Sequence, residues 1–242
     1  MRRISPWIAL PLGAAASTAL GFWVGKPWLL PLLGAAVPIP LFLKCIRESR
    51  PSQAAGWVLY WCIPQSIAVG LAVFLFPERA ADVVWRGPAY AAEMLHYIRT
   101  GQGAEGSPRL FLPIHARHFA LLCVSSFLTF GAGGLVLGTV LLNYMNFYVA
   151  ELTRQAAMPA LAAVVGWPVW AVFRVVGFTL LGAAFAQVSW HLWSKWRGRV
   201  ITRPLAMKLF YLGLGCVLLD ALLKALLAPA WRGLLVGALA SS

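Results

Sequence analysis

Acidic residues are scarce in this chain: seven Asp and Glu among 242 residues, against twenty Lys and Arg. Only 11% of the residues are charged, where an ordinary soluble domain carries about 25%. That excludes a soluble globular surface. Cysteine is scarce as well. Cys45, Cys62, Cys123 and Cys216 stand far apart with no CxxC pair, so they are small apolar packers and neither a disulfide framework nor a thiolate metal site. The sequence lacks a Walker A run, a GxGxxG turn, a GxSxG elbow and an HExxH helix, which removes the usual machinery of nucleotide-driven transport by this chain alone and of standard hydrolases. Nor is there an internal repeat, a heptad array or a low-complexity linker.

Apolar residues fill the space so vacated. They make up 61% of the chain, mean hydropathy is +0.77, and runs of membrane-spanning length recur almost from end to end. These features predict an all-α, polytopic transmembrane bundle, residues 1–242 forming a single integral membrane domain. The formal charge of +13 then follows from exclusion of acids from the spans and from Lys and Arg gathered in loops on the cytoplasmic side, where they also meet anionic lipid. No basic block stands clear of an apolar run, so membrane lipids, and not nucleic acid, are the expected partners.

The expected spans are Pro6 to Gly25, Pro27 to Leu43, Ala54 to Phe76, Phe119 to about Ala150, two short crossings between Ala156 and Trp193 turning near Arg174, and Leu209 to Ala228. The total is seven, or six if Ala156 to Trp193 is one tilted helix. The fourth run, at about 1.5 Å per residue, is about 48 Å long, beyond a hydrocarbon core of about 30 Å. Arg2 and Arg3, Lys44 to Arg50 and Lys195 to Lys208 place the amino terminus in the cytoplasm of a bacterial-type inner membrane and the carboxyl terminus outside. Residues 77–118 form an extracytoplasmic loop in which Pro88 starts a short interfacial helix along Ala91, Leu95 and Ile98. Gly13, Ser17, Gly21 and Gly25, four apart, mark a close helix–helix contact. Pro31, Pro38 and Pro40 predict a break in the second span.

Three groups of residues can carry chemistry. Glu93 and His96, with His115 and His118, repeat an i,i+3 spacing that places two ligands on one helix face, a candidate site for a metal ion such as Zn, Fe or Cu. Asn143 and Asn146 share a face of a glycine-rich helix, where amides in hydrocarbon seek a helix partner or a ligand. Asp220 and Lys224 are ionisable groups inside an apolar run that neutralise each other one turn apart. Gln187 and His191 form a similar pair, and Arg174 caps the outer turn of the two-crossing reading or, in a single span, becomes functional. Together these point to a small-solute or lipid permease or the membrane subunit of a larger complex with protein partners. The alternatives are a metal-dependent enzyme acting on a lipid-borne substrate and a structural scaffold.

Overall fold

The structure, a computed structural model, describes residues 5–199 and 204–239. It is an all-helical bundle in the order α1 (Pro6–Val24), α2 (Leu29–Ala36), α3 (Ile39–Arg47), α4 (Pro51–Leu75), α5 (Pro77–Val83), α6 (Gly87–Thr100), a 3-10 turn (Ala104–Gly106), α7 (Pro108–Leu128), α8 (Ala132–Gln155), α9 (Pro159–Val165), α10 (Val169–Trp196) and α11 (Met207–Leu239). Six helices, α1, α4, α7, α8, α10 and α11, are long and apolar enough to cross a membrane; α2 and α3, bent 47° at their junction, together make a seventh. Proline starts helices here more often than it interrupts them. It stands in the first two positions of α1, α3, α4, α5, α6, α7 and α9, where the missing N–H has no helical partner to lose.

The expected break in the second span is present. Pro38 and Pro40 supply no N–H to the Gly34 and Ala36 carbonyls, and the helix bends between α2 and α3. The glycine face of α1 does what its spacing implies at two positions, a Cβ at Gly13 colliding with Val37 and one at Gly21 with Leu30, whereas Gly25 lies past the helix end as its left-handed cap, against Arg79.

Two expected partitions are corrected. The run Phe119 to Ala150 is not one overlong span. It turns at Thr129 to Gly131, where Phe130 and Gly131 adopt left-handed backbone (φ 55° and 94°) and the Phe130 ring packs edge-on to Trp190 and Trp193. Conversely, Ala156 to Trp193 does not turn near Arg174: a short α9 precedes one continuous 28-residue helix, α10, with Arg174 in its second turn. An apolar turn packed against tryptophans needs no polar marker, so hydropathy places it wrongly. The last helix likewise runs past Ala228 to Leu239. The loop 77–118 is mostly helical, and its final residues, His115 and His118 among them, belong to α7.

The bundle has two ends of different character. At one lie the α3–α4, α7–α8 and α10–α11 junctions with Lys44, Arg47, Arg50, Lys195, Arg197, Arg199 and Lys208 against Glu48 alone; Arg47 and Arg197 stack on Trp190 and Trp193. At the other, α5 and α6 pack on the second half of α8, and two arginines close helix ends: Arg79 donates to the Phe22 and Trp23 carbonyls (2.8 and 3.0 Å), and Arg232 to those of Tyr97, Ile98 and Arg99 (3.1, 2.9 and 3.0 Å). Each satisfies carbonyls that a helix end leaves open and sits at the negative end of its dipole. Arg2 and Arg3 lie outside the described residues.

Candidate functional site

Below the α5–α6 end, α6, the 3-10 turn, α7, α8, α10 and α11 enclose a polar chamber of about 130 Å³. Its walls carry most of the ionisable groups that lie inside the bundle. The Arg174 guanidinium donates two bonds to the Asp220 carboxylate, Nε to Oδ2 and Nη2 to Oδ1, each 2.9 Å. Lys224 Nζ, one turn further along α11, donates to Glu105 Oε2 at 2.7 Å and lies 4.7 Å from the Phe111 ring centroid. Trp170 Nε1 donates to the other Glu105 oxygen at 3.1 Å. Asp220 and Lys224 are 1% and 3% exposed, so these pairs stand in low dielectric, where an uncompensated charge would cost several kcal/mol.

His115 completes this group. Its Nδ1 lies 2.8 Å from the Phe111 carbonyl, an oxygen that only accepts, so Nδ1 carries a proton and, in the neutral imidazole, Nε2 the lone pair. Nε2 is buried, without a hydrogen-bond partner, 3.6 Å from Asp220 Oδ2. Tyr90, on α6, leans over the chamber with its ring 4.4 Å from Tyr144 and 6.0 Å from Tyr148, its hydroxyl donating to Met145 Sδ at 3.5 Å. Burial, and then the Glu105 carboxylate, hold its phenol well above the ordinary range, so it remains a neutral donor.

A second cavity, of about 90 Å³, adjoins the first and shares Tyr90, His118, Tyr144 and Arg174 with it as lining residues. It runs between α4, α7, α8 and α10 toward Phe42 and Gly131 and is lined mainly by apolar and small residues. From Tyr144 to Gly131 along α8, at about 1.5 Å per residue, the slot descends about 20 Å. Missing side chains create it. A Cβ at Gly138 would meet nothing within 4 Å, and one at Gly182 only Ser126 Oγ at 3.5 Å. Gly134, one turn before Gly138, abuts Ser126 of α7.

The structure regroups the sequence candidates. Asp220 and Lys224 do not neutralise each other; each takes a partner from another element. Arg174 is no turn cap but the partner of Asp220. Glu93, His115 and His118 line the chamber, while His96 lies exposed on α6 and away from it. Among the described residues no three His, Cys, Asp or Glu side chains converge as a metal ion requires. Gln187 joins α10 to the segment before α11, accepting from Ala206 N (2.8 Å) and donating to the Pro204 carbonyl (3.3 Å), and His191 Nδ1 meets the Gln187 carbonyl at 2.9 Å. Both belong to a structural staple. Asn143 and Asn146 are buried on α8 but face neither cavity. Glu151 and Arg154 form the surface pair their spacing suggests (2.9 Å), and Tyr144 and Tyr148 pack under α6.

Glu105 is the residue of this candidate site that the sequence does not single out. A signal existed. With seven acids in the chain and Asp220 matched to one cation, a buried Lys224 had to draw a carboxylate from outside its own helix. No protein-family model matches the chain, and neither a curated protein nor a solved structure matches it.

Proposed function

We propose that the protein is a permease for an amphipathic, lipid-borne substrate, its polar head in the chamber and its hydrocarbon chain in the slot. One observation carries this reading: a chamber of ionisable groups and an apolar slot lie on either side of shared lining residues, Tyr90, His118, Tyr144 and Arg174. Ionisable groups at membrane depth are expensive and mark substrate or ion paths, and the slot reaches Phe42 of the bent α2–α3 pair, broken helices being a recurrent part of translocation routes. The positive-inside rule sets the Arg47–Arg197 end in the cytoplasm of a bacterial-type inner membrane, the chamber toward the outer leaflet, and the carboxyl terminus outside.

The test uses Gly138→Leu. A Cβ at Gly138 meets nothing within 4 Å, so the new side chain starts without a clash and projects into the slot that Gly138 lines. Gently extracted wild-type protein carries a lipid species enriched over the bulk membrane, measured by mass spectrometry of the co-purified extract, and moves a headgroup-labelled lipid across proteoliposomes. In the variant both fall by about tenfold, the equivalent of 1.4 kcal/mol of binding, while the melting temperature holds. Wild-type protein without an enriched lipid, or a variant that retains both properties, rejects the reading.

The His115 lone pair favours a second reading, in which the same chamber performs chemistry on the same lipid-borne substrate with His115 as proton acceptor. Conversion of the enriched lipid to a new mass by purified protein, abolished in His115→Gln, selects it over carriage alone.

A further inference from the structure

The charged groups around the chamber fall into two sets. One is engaged within the fold: Asp220 holds Arg174, and Glu105 holds Lys224. The other is not. Arg86 and Glu93 line the chamber and are exposed. Among the described residues neither side chain enters an ion pair or a hydrogen bond, and the Asp82 carboxylate, four residues before Arg86, is not paired with it either.

Arg86 is also strained. It caps the start of α6 in left-handed backbone (φ 63°, ψ 4°), a conformation that L side chains disfavour. The turn is fixed from behind, where Gly87 packs so closely that a Cβ would lie 2.8 Å from the Phe147 ring. Strain of this kind clusters at ligand clamps. Glu93 follows on the same helix two turns later, about 10 Å along the axis. Arg86, Glu93 and Arg174 all act electrostatically on Tyr144, so they border one space.

The charge balance narrows what that space takes. With the histidines neutral, Arg86, Arg174 and Lys224 stand against Glu93, Glu105 and Asp220, and the charges cancel. An occupant that excludes water leaves Arg86 and Glu93 desolvated, and a desolvated ion needs a counter-charge. An anionic head supplies one for Arg86 and sets a like charge beside Glu93. An uncharged head supplies neither. A head with a phosphate and an ammonium supplies both, in the order that α6 favours, since the positive end of the helix dipole lies at Arg86. We propose that the head held in the chamber is zwitterionic, its phosphate at Arg86 and its ammonium at Glu93, as in an aminophospholipid; this rests on the reading of chamber and slot as a lipid site.

The experiment offers the full-length, delipidated protein an equimolar mixture of dioleoylphosphatidylethanolamine, dioleoylphosphatidylglycerol and dioleoylglycerol, which share their tails and differ in the charge of the head. Native mass spectrometry reads what is retained. Wild type holds the phosphatidylethanolamine over each competitor by about tenfold, the scale on which an unmatched charge is penalised. Glu93→Gln leaves the chamber one positive charge in excess and moves the ratio of the two phospholipids toward phosphatidylglycerol by about tenfold. Arg86→Gln lowers the retention of both. Substitutions at exposed positions barely change stability, so each variant stays folded. Equal or stronger retention of phosphatidylglycerol or dioleoylglycerol by wild type overturns the inference, and so does a phospholipid ratio that Glu93→Gln leaves unchanged. In both cases a lipid is bound and the lipid site itself stands. Retention of none of the three rejects the lipid site, and this inference with it.

Discussion

Glu105→Gln is the sharpest perturbation of the chamber, because it removes a charge and almost nothing else. The amide keeps the shape of the carboxylate and can still accept the 3.1 Å bond from Trp170 Nε1. What disappears is the counter-charge of Lys224, whose ammonium sits 2.7 Å away at 3% residue exposure. Breaking a buried pair from one side costs about 3–5 kcal/mol, since the remaining ion stays desolvated. With about 2–4 °C per kcal/mol for a chain of this size, the melting temperature falls by about 6–20 °C. Lys224→Met alone leaves Glu105 stranded and produces a drop of the same order. Glu105→Gln combined with Lys224→Met removes both charges and recovers most of the loss, so the double-mutant cycle shows a coupling of about 2 kcal/mol or more, within the range seen for residues in one network. Thermal unfolding of the four proteins in one detergent measures it. Strict additivity of the two single losses, or a drop below about 2 °C for Glu105→Gln, refutes the assignment of Glu105 as the partner that neutralises Lys224.

Two further predictions concern the frame around the site. Gly177 and Gly213 bring α10 and α11 together, each Cβ position lying 2.9–3.0 Å from the other's carbonyl oxygen; Gly177→Leu forces the helices apart and costs about 1–3 kcal/mol, read as a lower melting temperature, whereas tolerance of leucine there contradicts the close approach. Single cysteines at His96 and Lys195, in a variant without the four native cysteines, are labelled by an impermeant maleimide from opposite sides of the membrane, and labelling from one side would contradict the crossing of α7, α8 and α10.

The class of the fold was legible because long apolar runs have few other uses, and the glycine face of α1 and the prolines of α2–α3 disclosed their contact and their bend through backbone geometry alone. The position of the central turn was not legible. Phe130 and Gly131 reverse the chain inside a run as apolar as a span, and their left-handed backbone is held by packing on Trp190 and Trp193, which no local window contains. The site divides along the same line. Arg174, Asp220, Lys224, His115 and His118 announced themselves as ionisable groups within or beside hydrocarbon. Their pairing did not: Arg174 and Asp220 are 46 residues apart, Glu105 and Lys224 119, and a helix spacing such as that of Asp220 and Lys224 offers a nearer but unused alternative.

The pairing also sets an order for how the protein comes into being. Ribosomes deliver helices from the amino end, so Glu105 and then Arg174 enter the bilayer or its surface well before α11 brings Asp220 and Lys224. Until that helix arrives, the guanidinium in α10 lacks the Asp220 carboxylate, and Glu105 holds only the Trp170 N–H. Insertion of α11 then settles both debts of charge in one event. The ion pairs of the chamber are therefore complete only once the last helix is in place.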